Sequence, residues 1–187
     1  MKAFLAGIAL FCFCVGLQAA ELAGVSLANN AQIGESKLVL NGAGIRSKWF
    51  FDVYIAALYL PQKQTSAKSI IADNHEHRIA LHMLRTVGSK KLFNAFKDAI
   101  EANHTTEELM SLDTDIKQMA QIFEAVGEVN QDDVITLDYV PDVGTNISVN
   151  GTNRGTIKGV MFNQALLKIW LGDEPAQDDL KKEMLGG

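Results

Sequence analysis

Asn41-Gly42-Ala43-Gly44-Ile45-Arg46 is followed, after six residues, by Val53-Tyr54-Ile55-Ala56-Ala57-Leu58-Tyr59-Leu60. The first block predicts a turn at residues 41–44, because glycine enters positive-φ backbone without steric cost and asparagine tolerates it. Residues 49–60 are rich in aromatic and branched apolar side chains, the composition of a strand, and Pro61 ends the run. Arg46 lies just after the expected turn and Tyr54 eight positions further on. A straight strand would carry both on one face but ~26 Å apart, so the chain has to bend or bulge if the two are to act on one group.

Working outward, residues 24–28 and 37–40 precede this block as short strands, and residues 78–84 alternate well enough for another. A helix is expected from Ser89, with Ser89 as its N-cap. Leu92, Phe93, Phe96, Ala99 and Ile100 fall on one face of it, and Lys90, Lys91, Lys97 and Glu101 largely off that face. A second helix is expected over residues 113–126, ended by Gly127. Residues 134–139 read as a strand, and 147–149 with 155–158 as a hairpin turning near Asn150-Gly151. Residues 162–171 are apolar on most sides, which marks a helix that is buried or that roofs a cavity. A short helix over 177–184 follows. Strands, two helices, strands, helices in that order predict an α+β fold with a mostly antiparallel sheet.

The start of the chain has a different character. Met1-Lys2 is followed by an uncharged apolar run, residues 3–17, and by the small residues of Gln18-Ala19-Ala20. This is the layout of a secretory signal peptide, too short in its apolar part for a spanning helix, which needs ~20 residues. Residues 1–19 are therefore expected to be an export signal, with cleavage after Ala19 or Ala20 fitting equally well. Residues 20–187 then form one domain without a membrane span, placed in a bacterial periplasm. Both cysteines, Cys12 and Cys14, fall inside the signal, so the mature chain has no thiol nucleophile and no disulfide.

The 187 residues carry 17 basic and 22 acidic side chains, a net charge of −5, which argues against charge-driven nucleic-acid binding. No phosphate-binding glycine loop, nucleophile elbow or paired-histidine zinc motif occurs. His75, His77 and His82 form a loose cluster, read as solvated loop histidines rather than metal ligands because His82 points away from the other two. No metal and no cofactor is expected.

The glycine-rich block with its arginine, the Tyr54 strand and a second block, Leu166-Leu167-Lys168-Ile169-Trp170-Leu171-Gly172 through Pro175 to Leu180-Lys181-Lys182 and Leu185-Gly186, together resemble the chalcone isomerase-like family, in particular its bacterial exported members. The resemblance spans roughly residues 37–186. It implies an open-faced β-sandwich: a large antiparallel sheet covered by a layer of helices, with a ligand cleft between them. One branch of that family closes a flavanone ring and another holds a fatty acid in the same cleft. Both carry the turn arginine, matched by Arg46. Tyr54 matches the tyrosine of the fatty-acid binders rather than the threonine of the isomerases.

The isomerases also carry Tyr-x-x-Lys-x-x-x-Asn on the helix over the cleft. Lys90 and Asn94 keep part of this spacing, but Val87 replaces the tyrosine, and Ile169-Trp170 stands where the isomerases have Thr-Met. The resemblance thus implies non-catalytic binding of a fatty acid or similar small apolar carboxylate, with no catalytic residue assigned. The expected ligand-binding residues are Arg46 and Tyr54 at the headgroup and Phe93, Phe96, Phe162 and Trp170 along the chain, with Met161 and Leu166 as further walls. The alternatives are an intramolecular lyase acting on a phenolic substrate and an interaction protein with a vestigial cleft.

Overall fold

The computed structural model describes residues 20–187. The expected export signal, with both cysteines, lies outside the described residues. Strands β1 (Ala20–Leu22) and β2 (Val25–Leu27) form a small hairpin. The main sheet then builds from β3 (Asn30–Ile33), β4 (Ser36–Lys48), β5 (Phe51–Leu60), β6 (His77–Met83), β9 (Val134–Val140), β10 (Gly144–Val149) and β11 (Thr152–Ile157), with α1 (Ala67–Ala72) between β5 and β6. Its seven strands run antiparallel throughout in the order β11-β10-β9-β6-β5-β4-β3. Helices α2 (Ser89–Ala102), α3 (Thr106–Val126), α4 (Val160–Leu171) and α5 (Asp178–Met184) follow the order expected from sequence, with β7 (Val87–Gly88) and β8 (Glu128–Val129) pairing at the base of α2 and α3. The fold is the expected α+β arrangement of a large antiparallel sheet with helices.

Alternation divides the sheet into two faces. Ala56, Leu58, Leu60, Ile79, Leu81, Ile135 and Leu137 join α2, α3 and α4 in the main core. The reverse face carries a smaller cluster, Leu38, Ala57, Tyr59 and Ala80. Arg78 and Asp138, cross-strand partners, pair on the sheet through Nε and Oδ1 at 2.6 Å.

The expected turn at residues 41–44 is not a turn. These residues lie inside the thirteen-residue β4, and the chain reverses instead at Trp49-Phe50, a two-residue loop between the paired Lys48 and Phe51. The glycines serve close approach rather than positive φ. A Cβ on Gly42 would lie 2.1 Å from the Glu183 carbonyl oxygen, and one on Gly44 would lie 1.9 Å from Glu183 Oε2. Because β3 pairs only with Ser36–Val39, the outer edge of the rest of β4 would be bare. The segment containing α5 covers it. Asn41 Nδ2 donates to the Met184 carbonyl at 2.8 Å, and the Gln177 side chain bonds both Ile45 O and Ser47 N, as a neighbouring strand would.

Three local expectations change. Gly88, not Ser89, is the N-cap of α2, and Ser89 is the first helical residue. Helix α3 starts seven residues earlier than expected, at a capping box in which Thr105 Oγ1 accepts from Glu108 N and Glu108 Oε2 accepts from Thr105 N. His77 is not a solvated loop residue. It opens β6 and is buried, with Nε2 3.0 Å from Asn163 Oδ1 of α4 and Nδ1 3.1 Å from the His75 carbonyl. Burial pushes its pKa down, against the pull of those two acceptors.

Candidate ligand-binding site

The two-residue loop resolves the separation of Arg46 and Tyr54. They sit on adjacent strands, directly opposite each other in the β4–β5 pairing. Cross-strand partners have Cβ atoms ~5 Å apart, so no bend within one strand is needed. Tyr54 faces the helices, on the same side of β5 as Ala56 and Leu58.

Beside this pair a cavity of about 960 Å³ separates the helices from the sheet. That is the size of a pocket for a drug-sized ligand, ~300–1,000 Å³. Its floor is Leu81, Ile135, Leu137, Ile147 and Val149 from β6, β9 and β10. Phe96 and Ala99 of α2 with Met119, Ile122 and Phe123 of α3 form the roof, and Leu166, Ile169 and Trp170 of α4 close one side. The alternation of β9 explains its share of the floor, since Ile135, Leu137 and Tyr139 are the buried positions of that strand. Besides Arg46 and Tyr54, the polar and charged side chains Lys48, Arg85, Lys91, Asn94, Asp98 and Glu174 border the space.

Tyr54 borders the cavity, and its hydroxyl oxygen is held by Trp170. Burial raises its pKa, opposed by the Trp170 hydrogen bond and by the Arg46 charge, so the phenol is neutral at neutral pH. Trp170 Nε1 donates to Tyr54 Oη at 3.2 Å. An indole can only donate, so the tyrosine oxygen is the acceptor and its own O–H is left to donate. The Trp170 N–H and the Arg46 charge both favour negative charge at this spot.

Arg46 is half-buried, and Nη1 donates to the Ser47 carbonyl and to Gln177 Oε1, the latter at 3.2 Å. The same Gln177 oxygen accepts from Ser47 N at 3.0 Å. Gln177 therefore fixes one end of the guanidinium to the strand. None of the ion pairs among the described residues includes Arg46, so its charge is not neutralised by a sheet-edge carboxylate.

Of the residues expected at the site, Arg46, Tyr54, Phe96, Trp170 and Leu166 line the cavity. Phe93, Phe162 and Met161 do not. Phe93 packs behind the roof, its ring 5.9 Å from Phe96 and 5.7 Å from Phe123. Phe162 is 1% exposed within the solid core, and Met161 is on the surface. Sequence reasoning missed Phe123, Met119 and Ile122, although the apolar spacing of α3 was legible, and it missed Gln177, whose partners lie some 130 residues away. Among the described residues no group of three or more His, Cys, Asp or Glu side chains is placed to hold a metal ion.

A family profile described as chalcone isomerase-like matches residues 19–186. The fold is similar to the crystal structure of a fatty-acid binding protein from Arabidopsis thaliana, with a TM-score of 0.68 at 17% sequence identity, covering 90% of this chain and 96% of that one. At that identity the likeness speaks for the fold. No curated protein sequence matches the chain.

Proposed function

The chain belongs to the chalcone isomerase-like family, and from that membership we propose that it is a non-catalytic binder of a fatty acid or similar small apolar carboxylate, acting in the periplasm after removal of residues 1–19. The observation that carries this reading is the placement of Arg46 and Tyr54 as cross-strand partners in the lining of a cavity that is mostly apolar. A guanidinium without a carboxylate partner and a neutral phenol O–H suit a carboxylate headgroup. Each buried methylene of an acyl chain contributes ~0.8 kcal/mol, so twelve carbons supply on the order of 9 kcal/mol before the costs of association. The structural neighbour's own description as a fatty-acid binding protein agrees with this class of ligand.

The lyase reading fares less well on the same geometry. Ring closure on a phenolic substrate needs donors aimed at developing charge. The chain has three tyrosines, and only Tyr54 borders the cavity. Tyr59 lies in the reverse-face cluster, donating to the Ala28 carbonyl at 3.0 Å, and Tyr139 pairs with Asn74. Chalcone is therefore expected to cyclise no faster with the protein than without it. Turnover that vanishes in Arg46→Ala would favour the lyase instead.

The binding experiment is calorimetric titration of dodecanoate and dodecanol. A charge-assisted hydrogen bond contributes ~1.5–3 kcal/mol, so Arg46→Ala should weaken dodecanoate by roughly one to two powers of ten. Tyr54→Phe removes only the hydroxyl and should cost ~0.5–1.5 kcal/mol. Dodecanol, which cannot form the ionic contact, should bind all three proteins alike. Equal dodecanoate affinity across the three proteins would refute the proposed headgroup site.

A further inference from the structure

The tip of the β4–β5 hairpin presents Trp49, Phe50 and Phe51 to solvent, 86%, 95% and 58% exposed. Turn chemistry does not account for them. Trp49 has φ +64°, in the left-handed region where two-residue hairpin loops favour Asn or Gly and a bulky side chain is disfavoured. Core packing does not account for them either, since none of the three belongs to either hydrophobic cluster.

The surroundings are cationic. Lys48 ends β4 beside Trp49, and both Lys48 and Lys91 line the cavity. The Arg85 guanidinium lies 4.5 Å from the centroid of the Phe51 ring. Asp52 is the acidic neighbour at the tip, and its Oδ1 accepts from Ser47 Oγ at 2.6 Å. This collar sits on a chain whose net charge is −5.

We propose that this tip is a docking surface for an anionic lipid bilayer. Aromatic rings settle at headgroup level, and adjacent Lys and Arg side chains keep their stems along the apolar zone while their charges meet phosphates. The negative remainder of the molecule is repelled by the same surface, so the field orients the tip toward it. A protein partner fits less well. Three rings offer roughly 500 Å², below the ~800 Å² per side of a stable interface. Two copies docked tip to tip would also set Lys48 and Arg85 against their like. Residues 48–51 and Arg85 border the cavity as well, so docking turns its opening toward the lipid. The docking itself does not depend on the fatty-acid reading; exchange of a ligand with the bilayer would.

Flotation with vesicles tests it, using equal parts phosphatidylglycerol and phosphatidylcholine against phosphatidylcholine alone. Residues 1–19, where retained, are common to all chains compared, so differences between variants isolate the tip. The wild type should bind the anionic vesicles at least tenfold more strongly than the neutral ones. Trp49→Ser/Phe50→Ser and Lys48→Glu/Arg85→Glu should each lose at least tenfold on anionic vesicles. A local readout accompanies this. The chain has two tryptophans, so Trp170→Phe leaves Trp49 alone, and its emission should be quenched by brominated anionic lipid. Equal flotation of all variants, or unquenched Trp49 emission, overturns the proposal. So does a dimer, seen by sedimentation without lipid, that the double serine variant abolishes, because the rings would then be covered by a second copy.

Discussion

Helix α4 meets the rest of the molecule in two ways. Near its start, Phe162 and Asn163 are each 1% exposed and embedded in solid core, with α1 and α5 also in contact with the helix. Toward its end, Leu166, Ile169 and Trp170 are 3–5% exposed, yet they face a cavity. Strand β5 repeats the contrast, Tyr54 bordering the cavity while Leu58 and Leu60 are core. Burial from solvent therefore does not distinguish a wall from a core. What differs is the layer opposite: filled at one end, held off by α2 and α3 at the other.

Removing a large side chain from the packed end should have the greatest effect. Phe162→Ala should cost about 3–5 kcal/mol in urea unfolding, with the cavity at the far end of α4 keeping its lining. A loss under ~1 kcal/mol would mean the packed end is itself hollow. Enlarging a small residue sharpens the contrast. Ala165, 2% exposed in the core, should not accept Phe without a loss of about 1–3 kcal/mol. Ala99 borders the cavity, so Ala99→Trp should cost under ~1 kcal/mol while weakening dodecanoate more than tenfold. Equal stability losses from the two enlargements would show that the cavity closes up in solution.

The smallest effect expected is a pH dependence at the packed end. The folded-state pKa of His77 lies below its unfolded value of ~6.5 because burial disfavours the imidazolium. The unfolded chain then binds more protons as pH falls, so the contribution of His77 to stability is complete above pH ~6.5 and is lost progressively below it. His82, also lowered by burial, acts in the same sense, whereas Asp73 raises His75, whose contribution is present at low pH and lost as pH rises. His77→Gln should therefore flatten the fall in urea midpoint between pH 7.5 and pH 5. An unchanged slope would mean that His77 protonates as readily folded as unfolded.

Period and composition made much of the sheet and most helices legible: β9 from its alternation, α2 from its apolar face, and the β10–β11 hairpin from Asn150-Gly151. The misreading of residues 41–44 has a physical cause. A glycine can supply positive φ or merely the absence of a side chain, and the group that needs that absence, Glu183, is some 140 residues away. The true reversal at Trp49-Phe50 carries neither Gly nor Asn, so no local signal marked it. The early start of α3 was readable, since Thr105-x-x-Glu108 is a capping box in plain view. Arg46 and Tyr54 were expected at the headgroup from the family resemblance. Their meeting across two strands was not, because strand register is a property of the pair. Phe93 and Phe162 were placed at the wall because helical periodicity says which face is hidden and nothing about what stands opposite.

Gln177, the side chain that stands in for a missing strand beside β4, follows Arg46 by 131 residues. A chain emerging from a ribosome or through an export channel presents these residues in that order. The outer edge of β4 can be built long before residues 177–184 exist to cover it. During that interval the unpaired strand and the aromatic tip are exposed together, and a second nascent chain is the nearest thing able to pair with them. For this protein the hazard of sticking belongs to the time before its last helix arrives, and the arrival of that helix ends the hazard and fixes the arginine in one event.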